Sequence, residues 1–300
     1  MAKALAKIRR ARLLLGTFVE IEAFGASEAK MNEAIDAAFG AVAKVHRLMS
    51  FHDSDSDVSR LNREAHLRPV AVDAWTFAVL ETATELHHRS GGVFDIAVAP
   101  ALQALGLLPQ TGSSVASGAR SGAAVELLDG DAVRFHRDIA VDLGGIAKGF
   151  AVDRAIEVLR ASGVTGAIVN AGGDLAAFGP EPHAVHIRHP RDGARIVCSV
   201  TIENAALASS APRIDPFQSA DTAHSAVINP ASQRAPDGVD GASVRASSCM
   251  IADALTKIVM IKGLDASDLL DHYAASALLM SADGNLHVSS DFHHAVHLAA

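Results

Sequence analysis

The chain reads as an α+β protein in which mixed, largely antiparallel sheets carry packed helices. Asp129-Gly130, Asp192-Gly193 and Asp283-Gly284 each sit between β-like runs, and Asp-Gly tolerates the positive φ angles of hairpin turns. From Glu28 to Met49, apolar residues recur on one helical face at Met31, Ala34, Ile35, Ala38, Val42, Val45 and Met49. Strands and helices then mix without the regular βαβ alternation of a doubly wound sheet.

Leu13 to Phe24 alternates as a strand. Ser27 is placed to cap the helix that follows. A second helix is expected from Ala74 to Arg89 behind Asp73. Gln110 to Ala124, rich in Ser, Gly and Ala, reads as a flexible surface loop. A helix from Ile146 to Arg160 and others from Met250 and Ala266 complete the pattern. No repeat or clean linker divides the chain. Residues 13–300 are therefore expected to form one domain, with room for two intertwined lobes, behind a basic extension of residues 1–12.

Composition narrows the function. Of 300 residues, 49% are hydrophobic and only 4% aromatic, so alanine, valine and leucine must fill the core. A formal net charge of −8 without a long basic run argues against nucleic acid as the main partner. An anionic ligand then needs local cations or a bound metal, because the global field repels it. Cys198 and Cys249 lack metal-type spacing and read as small core residues of a protein in a reducing compartment. Lys3, Lys7, Arg9, Arg10 and Arg12 precede an apolar run that breaks at Gly16-Thr17, with no small-residue cleavage site. No window approaches membrane-spanning length, so a cytoplasmic location is expected. His293, His294 and His297 read as a solvated tail.

Two glycine-rich turns carry the chemistry. Val141-Asp142-Leu143-Gly144-Gly145-Ile146-Ala147-Lys148-Gly149 reads as a strand end, an acid, two glycines and a helix start. Glycines admit close approach of backbone to phosphate, and a helix N-terminus offers N–H groups and a positive dipole end. Lys148 adds a cation, and Asp142 suits a metal or a sugar hydroxyl. The second turn is Ile168-Val169-Asn170-Ala171-Gly172-Gly173-Asp174. Neither has Walker or dinucleotide-fold spacing, and a plain turn would give either pattern alone. Together they suggest a backbone-lined site with an acid on each loop.

These residues belong to an ordered series. Leu15-Gly16-Thr17-Phe18-Val19 opens it. Met49-Ser50-Phe51-His52-Asp53, Asp57-Val58-Ser59-Arg60-Leu61-Asn62 and Phe94-Asp95-Ile96-Ala97-Val98-Ala99-Pro100 follow. The first glycine turn, extended through Phe150-Ala151-Val152-Asp153-Arg154, and the second turn come next, and Ala252-Asp253-Ala254-Leu255 closes the series. In this order the blocks resemble the ApbE-type FAD:protein FMN transferases from about Leu15 to Gly263. The resemblance implies an α+β fold that binds FAD with Mg²⁺ near the pyrophosphate. It also implies transfer of the FMN half to a Thr or Ser hydroxyl of a target flavoprotein, with release of AMP. By resemblance Thr17, Ser50, Phe51, Phe94, Asp95, Asp142, Gly144, Gly145, Lys148, Asn170, Gly172, Gly173 and Asp174 line the FAD site. Asp253 and the Ala147 carbonyl would hold the metal.

Three positions depart from the family pattern. The family's metal helix carries Thr four residues after the Asp, where this chain has Lys257; Thr256 lies one place earlier. One residue rotates a side chain by roughly 100° about a helix, so Thr256 joins the metal set only if the helix shifts. Lys257 either places its ammonium where the metal would sit or snorkels away. The family's His precedes an Asp-Pro pair by three residues; here the pair is Asn229-Pro230 and the His position is Ala226. His224, the candidate general base, is displaced by roughly 6 to 7 Å along a strand. Last, the family's Thr-Ser-Gly turn appears as Ser209-Ser210-Ala211. Two alternatives therefore stand beside transfer: a nucleotide-binding homologue that has lost it, and an FAD pyrophosphatase giving FMN and AMP.

Overall fold

The structure, a computed structural model, describes residues 6–25, 27–110, 120–211 and 226–298. In chain order the first half contains β1 (Ala6–Leu14), β2 (Thr17–Gly25), α1 (Glu28–Met49), α2 (Asp57–Glu64), β3 (Val70–Ala71), α3 (Ala74–Arg89), α4 (Ala99–Ala104), β4 (Val125–Leu128) and β5 (Ala132–Phe135). The second half begins with α5 (Ala147–Ala161), β6 (Gly166–Ala171), β7 (Asp174–Phe178), β8 (His183–His189), β9 (Asp192–Ile202) and β10 (Ala206–Ser210). It continues with β11 (Val239–Ala246), α6 (Cys249–Lys262), α7 (Ser267–His272), β12 (Ser276–Ser281), β13 (Leu286–Val288) and β14 (Val296–Leu298). The fold is α+β with antiparallel pairing throughout, as the hairpin signals predict.

An eight-stranded sheet in the order β1-β2-β6-β7-β10-β11-β12-β13 forms the frame. On one face α1, α5 and α6 bury Val19, Ile21 and Ala23 of β2 with Ala167 and Val169 of β6. On the other face the small sheet β14-β9-β8 covers a second core with Leu175, Ala177, Cys198, Val200 and Leu207. β7 is therefore buried on both faces, and every one of its residues is inside. The sheet β3-β5-β4 lies apart from this frame.

Helices α1 and α3 start and end where the sequence predicts. The Ser27 side chain accepts from the Lys30 N–H, and that of Asp73 accepts from the Trp75 N–H at 2.9 Å. The first strand is a correction. Residues 13–24 do not form one strand, because Leu15 (φ 56°) and Gly16 (φ 70°) make a two-residue turn. Ala6 to Leu14 pairs back on β2, so most of the basic stretch set apart as an extension is sheet. Positive φ at both central positions is the I′ geometry that usually selects Asn-Gly; Leu-Gly hides it. The second Asp-Gly pair also shifts in role: Asp192 opens β9 opposite His189, and Pro190-Arg191 make the turn. Of the loop expected over 110–124, residues 111–119 lie outside the described residues, and Gly122–Ala124 form a 3₁₀ turn. His293 and His294 lie in a 3₁₀ segment and His297 in β14, all exposed. Both cysteines are buried and free.

Candidate functional site

The two glycine turns meet where α5 and α6 begin. In the β6–β7 hairpin, Asn170 pairs with Leu175, and Gly172 (φ 68°) and Gly173 (φ 103°) make the turn. The Asn170 Oδ1 accepts the Gly173 N–H at 2.9 Å and fixes its shape. Thr17 packs against this turn so closely that a Cβ on Gly172 would stand 2.6 Å from its Oγ1.

From this hairpin Asp174 reaches α5. Its Oδ2 accepts from the Lys148 ammonium, while its Oδ1 is buried without a hydrogen-bond partner among the described residues. Burial and the like charge of Asp253 push the Asp174 carboxyl up, against the pull of Lys148 and Lys257. Burial disfavours the Lys148 charge, but Asp253 and Asp174 outweigh it and raise the ammonium's pKa.

Asp253 sits in the second turn of α6 and is fully buried. Its Oδ2 accepts the Gly149 N–H at 3.1 Å, and its Oδ1 accepts from the Lys257 ammonium, which also donates to the Asp253 carbonyl at 2.9 Å. Burial alone would raise this carboxyl; Lys148 and Lys257 overcome it and hold it low. Lys257 thus turns inward rather than snorkelling away. Its side chain is 16% exposed, and its Cε would lie 3.6 Å from a Cβ on Gly145.

The α5 N-terminus is only partly open to a ligand. The Ala147 N–H bonds the Leu143 carbonyl at 2.8 Å, and the Gly149 N–H is held by Asp253. A protein carboxylate thus occupies part of the anion position that a helix start creates. The spacing that permits this comes from Gly149, because an added Cβ would stand 2.8 Å from the Asp253 Cβ and collide with the Cys249 carbonyl. One turn on, Asp153 caps α6 by accepting from the Cys249 N–H at 2.8 Å, the Met250 N–H at 2.9 Å and the Ser248 hydroxyl at 2.7 Å. Sequence reasoning missed this role. The signal was available, since Gly149 and Asp153 are four residues apart and share a helix face.

The remaining expected residues form a flank. The Asp142 Oδ2 accepts the Gly144 N–H at 3.0 Å, and its own N–H bonds the Ile96 carbonyl at 2.8 Å. Loss of water around this turn pushes its carboxyl up, opposed by the Gly144 bond and by His52. Asn62 clamps Val141 through both side-chain polar atoms, at 2.9 and 2.8 Å. Phe51, Phe94 and Asp95 are buried. Ser50 ends α1, and its Oγ accepts the His52 N–H at 3.2 Å. Asp95 commits its carboxylate to the Ala97 and Ser121 N–H groups, so it shapes the wall. His224 lies outside the described residues. Asn229 keeps a turn role, its Oδ1 accepting the Ala231 N–H at 2.9 Å.

The metal set does not assemble. The Thr256 hydroxyl donates to the Asp253 carbonyl at 2.7 Å, so its one proton is spent. Ser210 must then be the donor in the 2.7 Å contact between the two hydroxyls. Asp253 has an ammonium on one oxygen and an N–H on the other. Ala147 stands two residues before Gly149 at the helix start, and the neighbouring acid, Asp174, is already paired with Lys148. Among the described residues no group of three His, Cys, Asp or Glu side chains is placed to hold a metal. Mg²⁺ does not fit these residues as they stand.

Beside the junction a cavity of about 360 Å³ opens between the main sheet and β8. Asn170, Gly173 and Ser209 line it, with Val185, Ile187 and Leu278 among its apolar walls. That volume lies at the low end of the ~300–1,000 Å³ range of ligand pockets.

The sequence matches the ApbE family over residues 15–279. The chain belongs to the ApbE family. Among ApbE relatives, the FAD:protein FMN transferase of Vibrio cholerae is 28% identical over 236 residues, covering 73% of this chain and 70% of the relative. That of Treponema pallidum is 26% identical over 291 residues, covering 86% and 79%. The crystal structure of the Thermotoga maritima ApbE protein superposes with a TM-score of 0.86 at 22% identity, covering 97% of this chain and 99% of that one. The Vibrio cholerae flavin transferase ApbE gives 0.79 at 22% identity, covering 96% and 98%. At that identity these structures speak for the ApbE fold alone. Among the described residues no helix is long and apolar enough to cross a membrane.

Proposed function

We propose that this protein is an FAD:protein FMN transferase. The observation that carries the reading is the junction of the Asn170–Asp174 turn, the start of α5 and Asp253 of α6, tied by Lys148–Asp174 and Gly149–Asp253. It brings two ammonium groups beside a ring-sized cavity, which suits a dinucleotide lying across the junction. The pyrophosphate lies by Lys148 and Lys257, and one ring enters the cavity beside Asn170 and Gly173. Asp174 backs Lys148 from the buried side through its Oδ2, and its Oδ1 has no hydrogen-bond partner among the described residues.

In the proposed reaction the oxygen of a Thr or Ser hydroxyl on an acceptor flavoprotein attacks the phosphorus of the FMN half. The bond from that phosphorus to the bridging oxygen breaks, AMP departs, and the hydroxyl proton passes to His224. Phosphoryl transfer depends on alignment and charge stabilisation more than on covalent help. The two lysines supply the charge here, and no step is assigned to Mg²⁺.

The test is incubation with FAD and an acceptor flavoprotein, followed by intact mass measurement. The acceptor is expected to gain one FMN less a water; no gain across several acceptors overturns the reading. Ala226, standing where relatives would carry the base, favours one second reading: FAD hydrolysis without transfer. In that case free FMN and AMP accumulate equally with and without acceptor.

A further inference from the structure

We infer that the Lys257 ammonium is a built-in substitute for a divalent cation, so that the site takes its pyrophosphate ligand with no metal bound. The inference rests on the FAD reading above for the identity of the ligand, but not for the exclusion of metal.

Four observations carry it. Lys257 follows Asp253 by one helical turn and shares its face, at the position where the family pattern has Thr. Its ammonium bonds both the Oδ1 and the main-chain oxygen of Asp253. A divalent ion on that carboxylate would face a fixed positive charge within a few ångströms. The other carboxylate oxygen is held by Gly149, and the Thr256 hydroxyl is turned to the helix backbone and Ser210. Asp174, the next acid, already has a cation in Lys148.

The same geometry leaves the ammonium something to offer. It has three N–H donors, and two are used on Asp253. The third has no partner among the described residues, and the Lys257 stem that carries it passes Gly145, in the glycine turn that leads into α5. Lysine is a compact point charge that binds phosphate without bidentate geometry, which suits a pyrophosphate oxygen at that mouth. Two lysines on two helices thus take the place of one lysine and a metal ion.

The full-length protein is titrated with FAD in EDTA and again in millimolar Mg²⁺, and separately with Mg²⁺ alone by calorimetry. For the wild type, the FAD Kd should change by less than about twofold between the two buffers, and Mg²⁺ alone should give no binding heat. Lys257→Thr places a hydroxyl one turn from Asp253. It should weaken FAD binding in EDTA by about tenfold or more, recover with Mg²⁺, and bind Mg²⁺ alone. Lys257→Met, which keeps the stem, should lose affinity and not recover. The wild-type arms stand even if a variant fails to fold. Wild-type FAD binding that collapses in EDTA, or wild-type heat with Mg²⁺ alone, overturns the inference. If no form binds FAD in either buffer while the Mg²⁺ titrations behave as expected, the FAD reading is overturned and the exclusion of metal is supported.

Discussion

Gly149 donates its main-chain N–H to the Oδ2 of Asp253, 3.1 Å away and 104 residues on in the chain. The contact joins the first turn of α5 to the second turn of α6, and it exists because position 149 lacks a Cβ. Gly149→Ala should destabilise the protein by about 1–3 kcal/mol, the usual cost of overpacking, despite alanine's better helix propensity. Calorimetric melting checks this; a variant that melts with the wild type would mean the two helices have slack.

Asp153 holds the start of α6 through two main-chain N–H groups and the Ser248 hydroxyl. Asp153→Ala should cost about 1–2 kcal/mol, as for the loss of a strong cap. It should also weaken FAD binding, because Asp253 rides on the same helix. Asp153→Asn keeps an acceptor oxygen and should cost less. Denaturant melts and FAD titrations of both variants would show equal losses if the cap does not matter.

Thr256→Val should lower stability by about 1–3 kcal/mol by leaving the Ser210 hydroxyl without its acceptor, while the Asp253 carbonyl keeps the Lys257 ammonium. It should leave FAD affinity in Mg²⁺ unchanged within about twofold. A large loss of affinity confined to Mg²⁺ buffer would instead return Thr256 to the metal set.

Removal of the proposed base separates binding from chemistry. His224→Ala should lower the transfer rate by about 10²–10⁴-fold, the usual worth of general base catalysis, with FAD affinity intact. Transfer at the wild-type rate would assign the proton elsewhere.

The paired charges predict a stability plateau in pH. Asp253 is held below its ordinary value, so its contribution is present above about pH 3.9 and is lost as pH falls through its lower folded value. Lys148 is raised, so its contribution is complete below about pH 10.4 and is lost as pH climbs through its higher folded value. Asp174 is raised and acts in the opposite sense, costing stability when ionised and softening the acid limb. Lys148→Met should lower the melting temperature on the plateau and flatten the alkaline fall. Parallel curves for variant and wild type between pH 9 and 12 would refute the assignment.

Where local signals are strong, the sequence was legible to the residue. Ser27 and Asp73 each mark a cap, the first backed by a one-face apolar pattern, and α1 and α3 start behind them. The Leu15-Gly16 turn was hidden because leucine rarely takes a positive φ. The short helix α2 was not foreseen, because its polar sequence buries only Asp57, Val58 and Leu61. Within the site, the glycine turns announced themselves through backbone geometry, which composition controls. The inward course of Lys257 did not. Spacing from Asp253 fixes a helix face, but it does not say whether a long side chain folds back along it. The role of Thr256 was illegible for a related reason: it depends on a partner far along the chain, Ser210.

Lys148 and Lys257 face Asp174 and Asp253, so two positive and two negative formal charges cancel within a chain of net charge −8. A neutral quartet casts no far-reaching attraction toward an anion. Beyond about 10 Å the field of the acidic surface is itself screened at 0.1 M salt. An approaching pyrophosphate is therefore not steered in, and the rate of its capture should scarcely respond to ionic strength, unlike association driven by a charged funnel. Selection happens on contact, where an ammonium proton and the width of a ring-sized cleft are tested one after the other.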